Sequence, residues 1–324
     1  MRRPQAGDWR PALDWRPLTT SDVPALVALY ADALVVDGGQ PFAGDEPLLR
    51  RWYVDEIEQS LAAFHGDPLV GACARRHAGT RDGPRSVIVG QVAPDQRGRG
   101  VGTRLLDFAL GGADAAMPVR VETESLTVAA DALYRSRGLR RVFAEDVMSL
   151  ALAGGLPSAA VTRDVVFTEW SARAAPRFFA VYDAAFRARP GFPGWPAERW
   201  IEWISDDDDF RADWTLLASA GGVDVGFVAG ATGGWIVQVG VLPAARRQAV
   251  ATTLIVEVLR RMLAAGETRA VLNVNVDNPS AIGVYQRLGF DRTGRRARYE
   301  TTAAPMALRG RKWRDGTADD PVAG

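Results

Sequence analysis

The sequence contains very few cysteine, histidine and lysine residues. Its 324 residues include one cysteine (Cys73), two histidines (His65 and His77) and one lysine (Lys312). A single cysteine excludes an intramolecular disulfide and a cysteine-based metal site, and two histidines exclude a three-histidine centre. Lys312 lacks the glycines of a Gly-x-x-x-x-Gly-Lys phosphate loop, which excludes that class of nucleotide site. We therefore expect no metal ion and no such loop.

The sequence also lacks an excess of charge and a long apolar run. It carries 39 basic and 39 acidic side chains, so it has none of the positive charge that general nucleic-acid or membrane-surface binders usually need. No stretch of about 18 apolar residues occurs, and the first residues contain no apolar signal segment. We therefore expect a cytoplasmic protein. A hydrophobic fraction of 47% supplies ample material for a core.

The chain contains an internal repeat. VGQVAPDQRGRGVGTRLL (89–106) is matched 149 positions later by QVGVLPAARRQAVATTLI (238–255). ADALYRSRGL (130–139) is matched by AIGVYQRLGF (281–290). Two matched pairs in the same order predict two copies of one α/β (α+β) unit.

A Gly/Pro linker, AGGLPS (153–158), separates the two copies. We therefore predict domains at 1–155 and 156–324. Each copy is expected to contain a strand, helices, a hairpin, a Val-x-Pro strand, a helix, a strand, a short helix and two terminal strands. In the second copy, apolar residues at i+4 spacing predict a buried helix stripe: Val250, Leu254, Val258 and Met262. The tryptophans Trp200, Trp203 and Trp214 are also interpreted as core.

The segment Gln96-Arg97-Gly98-Arg99-Gly100-Val101-Gly102 lies between a predicted strand and a predicted helix. A glycine-rich turn at this place lets backbone N–H groups approach an anion, and the helix N-terminus favours negative charge. A diphosphate is the natural ligand. The spacing does not match the dinucleotide-binding fingerprint, since no acidic residue ends a strand at the expected distance.

The segment VAPDQRGRGVGTRLL resembles the acetyl-CoA loop of the GNAT superfamily of N-acetyltransferases. NPSAIGVYQRLGF is similar to the second signature of that superfamily, and the chain as a whole resembles its tandem members, which include the mycothiol synthases. The resemblance implies two tandem GNAT-type units. Each would have a mixed, mostly antiparallel central sheet flanked by helices, with acetyl-CoA as co-substrate.

The resemblance also implies roles for particular residues. The backbone of the first glycine turn would hold the CoA pyrophosphate, and the Val92 strand would bind the pantetheine arm as an added strand. Tyr134, and Tyr285 by the same match, would donate a proton to the CoA thiolate. Without the motif, both tyrosines are better explained as packing aromatics. The residues expected to bind the cofactor are Val92, Arg97, Gly98, Arg99, Gly100, Val101, Gly102 and Thr103 in the first copy, and Val241, Arg246, Arg247 and Asn278 in the second.

The two copies depart from the family pattern in different ways. Ala249 replaces the glycine that corresponds to Gly100, and its methyl group is expected to crowd a pyrophosphate and to disfavour positive φ. The first copy is therefore expected to be the better acetyl-CoA site. Tandem mycothiol synthases use their carboxyl-terminal unit for chemistry, so the active unit stays open. Asn278 is equally explained as a helix cap.

A general base is not obvious in either copy. Glu122 and Glu124 are the nearest carboxylates in the first copy, and a solvated strand face explains them equally well. A relayed water, or an amine that is neutral at the working pH, would replace a base. The favoured function is transfer of acetyl from acetyl-CoA to a primary amine of a small molecule or peptide, by direct attack in a ternary complex of a monomer or homodimer. The alternatives are a non-catalytic acetyl-CoA-binding protein and a mycothiol-synthase-like enzyme.

Overall fold

The computed structural model describes residues 13–80, 83–114, 117–159, 161–162, 164–189 and 192–301. Lys312 lies outside these residues. Within the described part the chain divides into two compact units. Unit 1 comprises the residues up to 144 together with those from 294 onward, and unit 2 comprises residues 145–293. The predicted repeat is therefore visible as two compact units.

Unit 1 is a sheet flanked by helices. Its strands follow the order β1-β2-β3-β4-β5-β12. β4 and β5 are parallel, and the other neighbours are antiparallel. The elements of the first repeat are β1 (Asp14–Arg16), α1 (Val23–Asp37), α2 (Glu46–Arg50), β2 (Gln59–Phe64), β3 (Leu69–Thr80), β4 (Gly83–Val92), α3 (Val101–Gly111), β5 (Val119–Thr123), α4 (Val128–Ser136) and β6 (Leu139–Ala151).

Unit 2 has the same plan. Its strands follow the order β6-β11-β10-β9-β8-β7, in which β10 and β11 are parallel and the other neighbours are antiparallel. Both units thus have the mixed, mostly antiparallel sheet that was expected. The elements of the second repeat are β7 (Val165–Glu169), α5 (Ala175–Phe186), α6 (Ala197–Ser205), β8 (Phe210–Ala220), β9 (Val223–Ala231), β10 (Trp235–Val241), α7 (Val250–Ala264), β11 (Arg269–Asn275), α8 (Pro279–Arg287) and β12 (Asp291–Thr301).

The compact units do not coincide with the sequence domains 1–155 and 156–324. β12, the last strand of the second repeat, pairs with β5 in unit 1, for example Arg298 with Glu122. β6, the last strand of the first repeat, pairs with β11 in unit 2, for example Glu145 with Asn275. Backbone pairing of these terminal strands moves the boundary away from the linker. The prediction of two terminal strands in the first repeat is wrong, because β6 is one continuous strand.

The predicted core residues are buried. The four apolar residues of the α7 stripe are at most 4% exposed and pack in the main core of unit 2. Trp200 and Trp214 are buried at 0% and 1% exposure, which confirms their interpretation as core. Trp203 is half-buried, and its ring packs edge-on against Trp195. Close packing of these large side chains fixes α5, α6 and α7 against the sheet.

The start of α1 is fixed by an ion pair with a measurable pH dependence. Asp22 accepts two hydrogen bonds from Arg16, both 2.7 Å, and one from the Thr19 amide at 2.8 Å. The Arg16 guanidinium lowers the pKa of Asp22 from 3.8 to about 2. A carboxylate with a depressed pKa stabilises the fold above its unfolded pKa, and this stabilisation is lost as the pH falls toward 2.

We expect Asp22→Asn to lower the free energy of unfolding at pH 7 by about 2 kcal/mol, because the charged hydrogen bonds are lost. The difference from the unsubstituted protein should shrink as the pH falls from 4 to about 2. Urea unfolding at several pH values measures it. A difference that stays constant down to the lowest pH would show that Asp22 gains its stability in another way.

Candidate functional site

The sheet of unit 1 opens between its two parallel strands. β4 and β5 pair from Ser86 with Val119 to Ile88 with Val121, and no further pairing follows toward their C-terminal ends. β4 continues to Val92 in full antiparallel register with β3. The end of β4 therefore has a partner on one edge only, and a wedge-shaped gap separates it from the end of β5.

The backbone of β4 supplies hydrogen-bonding groups to this gap. The Ser86 amide donates to Pro118 O toward β5, whereas the Ala93 amide donates toward β3. Because successive peptide groups of a strand point to opposite edges, Gly90 and Val92 point their N–H and C=O groups toward the gap, where Val92 O already accepts from the Arg97 guanidinium. An extended, amide-containing ligand can pair with such an edge in the manner of an added strand.

The glycine turn lies at the end of the same strand. Gly98 and Gly100 have φ values of +71° and +86°, and Gly100 is the N-cap of α3. A Cβ atom added at either residue would meet no protein atom within 4 Å, so the space beside both backbones is open. This is the cradle that a diphosphate needs, because unpaired amides at a helix N-terminus are directly approachable.

The gap and the turn line one cleft of about 320 Å³. Val92, Arg97, Gly98, Gly100, Gly102 and Thr103 form the wall on the β4 and α3 side, and Val121, Thr123, Ser125, Thr127 and Tyr134 contribute the opposite wall. Val101 points its side chain into the core at 4% exposure. The structure thus brings together most of the residues predicted for the first copy.

Tyr134 combines burial with access to the cleft. Its side chain is 8% exposed and lines the cleft from α4. Desolvation raises the pKa of its phenol to about 12, so the hydroxyl is protonated at neutral pH. Its ring packs 4.9 Å from that of Tyr299. Thr127 caps α4 by accepting from the Ala130 amide at 3.1 Å, which fixes the helix that carries the tyrosine.

The two arginines of the turn make different contacts. Arg97 donates to both carboxylate oxygens of Asp37 at 2.7 and 2.5 Å, and to Val92 O at 3.2 and 3.3 Å. Arg99 is exposed and donates to Gln96 at 3.1 Å. No local pattern in the sequence indicates a role for Asp37, because its pair with Arg97 joins residues 60 positions apart.

The two candidate carboxylates are engaged with arginines. Glu124 lies 2.7 Å from Arg298 and 3.5 Å from Arg296, and its side chain is 4% exposed. Glu122 lies 3.6 Å from Arg76 and 3.4 Å from Arg298, and its side chain is 14% exposed. Neither forms the solvated face that was the alternative reading. Both belong to a half-buried ionic network in unit 1.

Unit 2 keeps the same turn without its glycines. Arg247 and Ala249 occupy the positions of Gly98 and Gly100 and adopt φ values of +62° and +60°. The Ala249 methyl disfavours positive φ, as expected, but it does not prevent it: residue 249 is left-handed all the same. Left-handed geometry costs an ordinary residue about 1–2 kcal/mol, so the turn is strained. Arg246 donates to Ala185 O at 3.2 Å, and none of the carboxylates in the described residues pairs with it as Asp37 pairs with Arg97.

The remaining unit 2 predictions fall at matching places. β10 and β11 pair only at Trp235 with Val271 and Ile236 with Leu272, so Val241 lies on the open end of β10. Asn278 caps α8 by accepting from the Ala281 amide at 3.2 Å. Tyr285 on α8 is 8% exposed, and desolvation raises its pKa to about 12.

The described residues contain no group of three metal-ligating side chains. In the same part of the chain, no helix is long and apolar enough to cross a membrane. The geometry supports binding of an extended, amide-containing ligand that carries a diphosphate, along an open strand edge. That is the arrangement of acetyl-CoA-dependent acyltransferases.

Comparisons with known proteins give the same class. Residues 170–290 match the model of the acetyltransferase (GNAT) family. A mycothiol acetyltransferase of Mycolicibacterium vanbaalenii is 30% identical, over 86% of this chain and 94% of that protein. Another from a Nocardioides species is also 30% identical, over 61% of this chain and 74% of that protein. The chain therefore belongs to the GNAT family, and it is an acyltransferase that moves acetyl from acetyl-CoA to an amine.

Solved structures show the same fold. A GCN5-related N-acetyltransferase from Sphaerobacter thermophilus superposes with a TM-score of 0.67 at 22% identity, covering 89% of this chain and 95% of that one. A tandem GNAT protein from the clavulanic acid biosynthesis pathway gives 0.54 at 18% identity, covering 91% and 100%. The tandem fold predicted from the repeat is confirmed.

The strain in the unit 2 turn leads to a stability prediction. We expect Ala249→Gly to raise the free energy of unfolding by about 1 kcal/mol, because glycine adopts positive φ without a steric penalty. Chemical denaturation measures the change. The matched control is Ala251→Gly, which lies in regular α7 and should lower stability by about 1 kcal/mol. Equal losses for both variants would show that residue 249 is not left-handed.

Proposed function

We propose that the cleft of unit 1 is an acetyl-CoA site. The observation that carries the proposal is the coincidence of an open β4 edge and an approachable glycine turn in one cleft. The amides of the turn, from Arg97 through Gly98, Arg99, Gly100, Val101 and Gly102 to Thr103, would hold the pyrophosphate. The peptide groups of Gly90 and the N–H of Val92 would bind the pantetheine arm, because they point into the gap, whereas Val92 O accepts from Arg97.

We propose a second, weaker acetyl-CoA site in unit 2. Val241 would present the strand edge, Arg246 and Arg247 the turn, and Asn278 the capped helix beside it. The turn keeps the left-handed geometry of its counterpart, which supports binding of an anion. Arg247 and Ala249 carry side chains where unit 1 has glycines. Less space beside the backbone of the turn supports a lower affinity than in unit 1.

The reaction we propose is direct attack by an amine in a ternary complex. Acetyl-CoA supplies the activated acetyl group. The amine nitrogen forms a bond to the carbonyl carbon, the carbon–sulfur bond breaks, and one proton leaves the nitrogen while one reaches the sulfur. An amide of the open β4 edge would stabilise negative charge on the carbonyl oxygen. Tyr134, or Tyr285 in unit 2, would supply the proton to sulfur, since burial keeps the phenol protonated.

Glu122 and Glu124 are the carboxylates that the sequence offers for accepting the proton of the amine in unit 1. Neither lines the cleft, unlike Val121, Thr123 and Ser125. The arginine partners of the two glutamates hold them in place but also occupy their oxygens. We therefore propose that proton removal passes through a relayed water, or that the acceptor amine is already neutral. The acceptor itself is proposed to be the primary amine of a small molecule. Two relatives are named mycothiol acetyltransferase, which favours the amine precursor of mycothiol as the acceptor. Acetylation of that precursor, a cysteinyl pseudodisaccharide, tests the assignment.

The acetyl-CoA site can be tested at Gly100. We expect Gly100→Trp to lower the affinity for acetyl-CoA at unit 1 at least 100-fold, because the indole would fill the open space beside the turn. Isothermal titration calorimetry measures the affinity. Gly66→Trp is the matched control, since Gly66 also has positive φ and open space but lies in the β2–β3 turn. If Gly100→Trp binds acetyl-CoA as the control does, the proposed site is wrong.

The proton donor can be tested with Tyr134→Phe and Tyr285→Phe, assayed separately with an acceptor that turns over. We expect one of the two to lower kcat by about 10²-fold, as for loss of a general acid, and the other to leave it within about twofold. The unit that responds is the catalytic unit. Retention of full kcat by both variants would show that neither phenol protonates the thiolate.

A non-catalytic acetyl-CoA-binding role for unit 1 alone is the second candidate. It is favoured by the arginine partners of Glu122 and Glu124, which leave unit 1 without an obvious base. Turnover by the Tyr285→Phe variant separates the two candidates. Loss of turnover in that variant, with tight acetyl-CoA binding retained at unit 1, would support the binding role for unit 1.

A further inference from the structure

A short segment links the two walls of the unit 1 cleft from outside. It runs from Asp37, the last residue of α1, through Gly38 and Gly39 to Gln40, and we call it the strap. Asp37 is held by Arg97, which belongs to the wall on the β4 side. The strap is therefore attached at one end to the turn that follows β4.

The other end of the strap is attached to the end of β5. Gly38 O accepts a hydrogen bond from Ser125 Oγ at 2.5 Å, and the Gln40 amide donates to Glu124 O at 2.9 Å. Ser125 belongs to the opposite wall of the cleft. The strap thus joins the ends of two strands that have stopped pairing with each other.

The contact with β5 is close enough to require glycine. Gly39 has a φ of +130°, and a Cβ atom built on it would lie 2.4 Å from Glu124 O and 2.9 Å from Ser125 Cβ. A side chain at this position would push the strap away from β5. The short backbone contact and the ion pair at the other end both limit how far the two walls can move apart.

The ion pair between Asp37 and Arg97 is partly shielded from solvent and fixed in its geometry. Asp37 is 9% exposed and Arg97 is 25% exposed, so solvent screens the pair only in part. Both Arg97 terminal nitrogens bond the carboxylate, and this two-point geometry fixes direction as well as distance. The same guanidinium also donates to Val92 O on the cleft edge of β4. One side chain therefore ties α1, the turn and the strand edge together.

We propose that Asp37 is a positioning residue, whose ion pair with Arg97 braces the strap and sets the width of the cleft for the pantetheine arm. The inference rests on the proposed acetyl-CoA site in unit 1. A preformed cleft spares the ligand the cost of ordering its walls, so the brace contributes to affinity without touching the ligand. Within the part of unit 2 that the structure describes, Arg246 makes no equivalent ion pair and bonds the carbonyl of Ala185 instead.

The test compares Asp37→Asn with Asp22→Asn in the full-length protein. Both remove one carboxylate charge from a two-point pair with arginine in unit 1, but Asp22 bonds Arg16 and Thr19 rather than a wall of the cleft. We expect Asp37→Asn to weaken acetyl-CoA binding by about tenfold in calorimetry, because small misplacements of a wall are costly. Asp22→Asn should bind within about twofold of the unsubstituted protein.

Two further variants separate positioning from a general loss of stability. Asp37→Glu restores the carboxylate and should recover at least half of the lost binding free energy. In the double variant Asp37→Asn with Arg97→Gln, affinity should be no lower than in Arg97→Gln alone, because both changes remove the same bond. Additive losses, or equal affinity of Asp37→Asn and Asp22→Asn, would overturn the proposal.

Gly39→Ala provides an independent check at the other end of the strap. It should also weaken acetyl-CoA binding, whereas Gly66→Ala, with positive φ but open space, should not. If Gly100→Trp leaves acetyl-CoA binding intact, the unit 1 site and the brace both fall. If Gly100→Trp abolishes binding at unit 1 while Asp37→Asn and Gly39→Ala leave it unchanged, only the brace is overturned.

Discussion

The pairing of two parallel strands ends early, and the candidate site depends on where it ends. β4 and β5 are bonded as far as Ile88 and Val121, so the last peptide groups of β4 have no strand partner on one edge. Buried or half-buried peptide groups seek hydrogen bonds, and an extended ligand with amides of its own can satisfy them. The glycine turn that follows β4 then places approachable backbone amides at the end of the same edge.

An open strand edge can bind an extended ligand only if the two walls of the cleft stay at a fixed distance from each other. In unit 1 the bonds between the strap and its surroundings do this work, with Arg97 at one end and Ser125 at the other. Arg97, which the family motif assigns to the cofactor loop, thus bonds the protein through its side chain. Its backbone amide remains for the ligand. Unit 2 keeps the turn but strains Arg247 and Ala249 to do so, and the two repeats have become physically unequal.

Local patterns predicted much of the fold and part of the site. The α7 stripe, the glycine turn and the cap at Asn278 follow from periodicity and short-range hydrogen bonds, and the sequence predicted each of them. The sequence did not predict the environments of Glu122 and Glu124, because their arginine partners lie on strands distant in the chain. Nor did the sequence reveal that Ala249 would hold a positive φ, since the elements on either side of the turn impose it.

By itself, the sequence determined that the chain is a tandem repeat of one α/β unit with a glycine turn between a strand and a helix in the first copy. It could do so because repeats, helix periods and left-handed glycines are properties of neighbouring residues. Only the tertiary structure decided that β6 completes unit 2 and β12 completes unit 1, and that Asp37 faces Arg97. Such pairings join residues far apart in the chain, and they are selected by packing and charge rather than by local propensity.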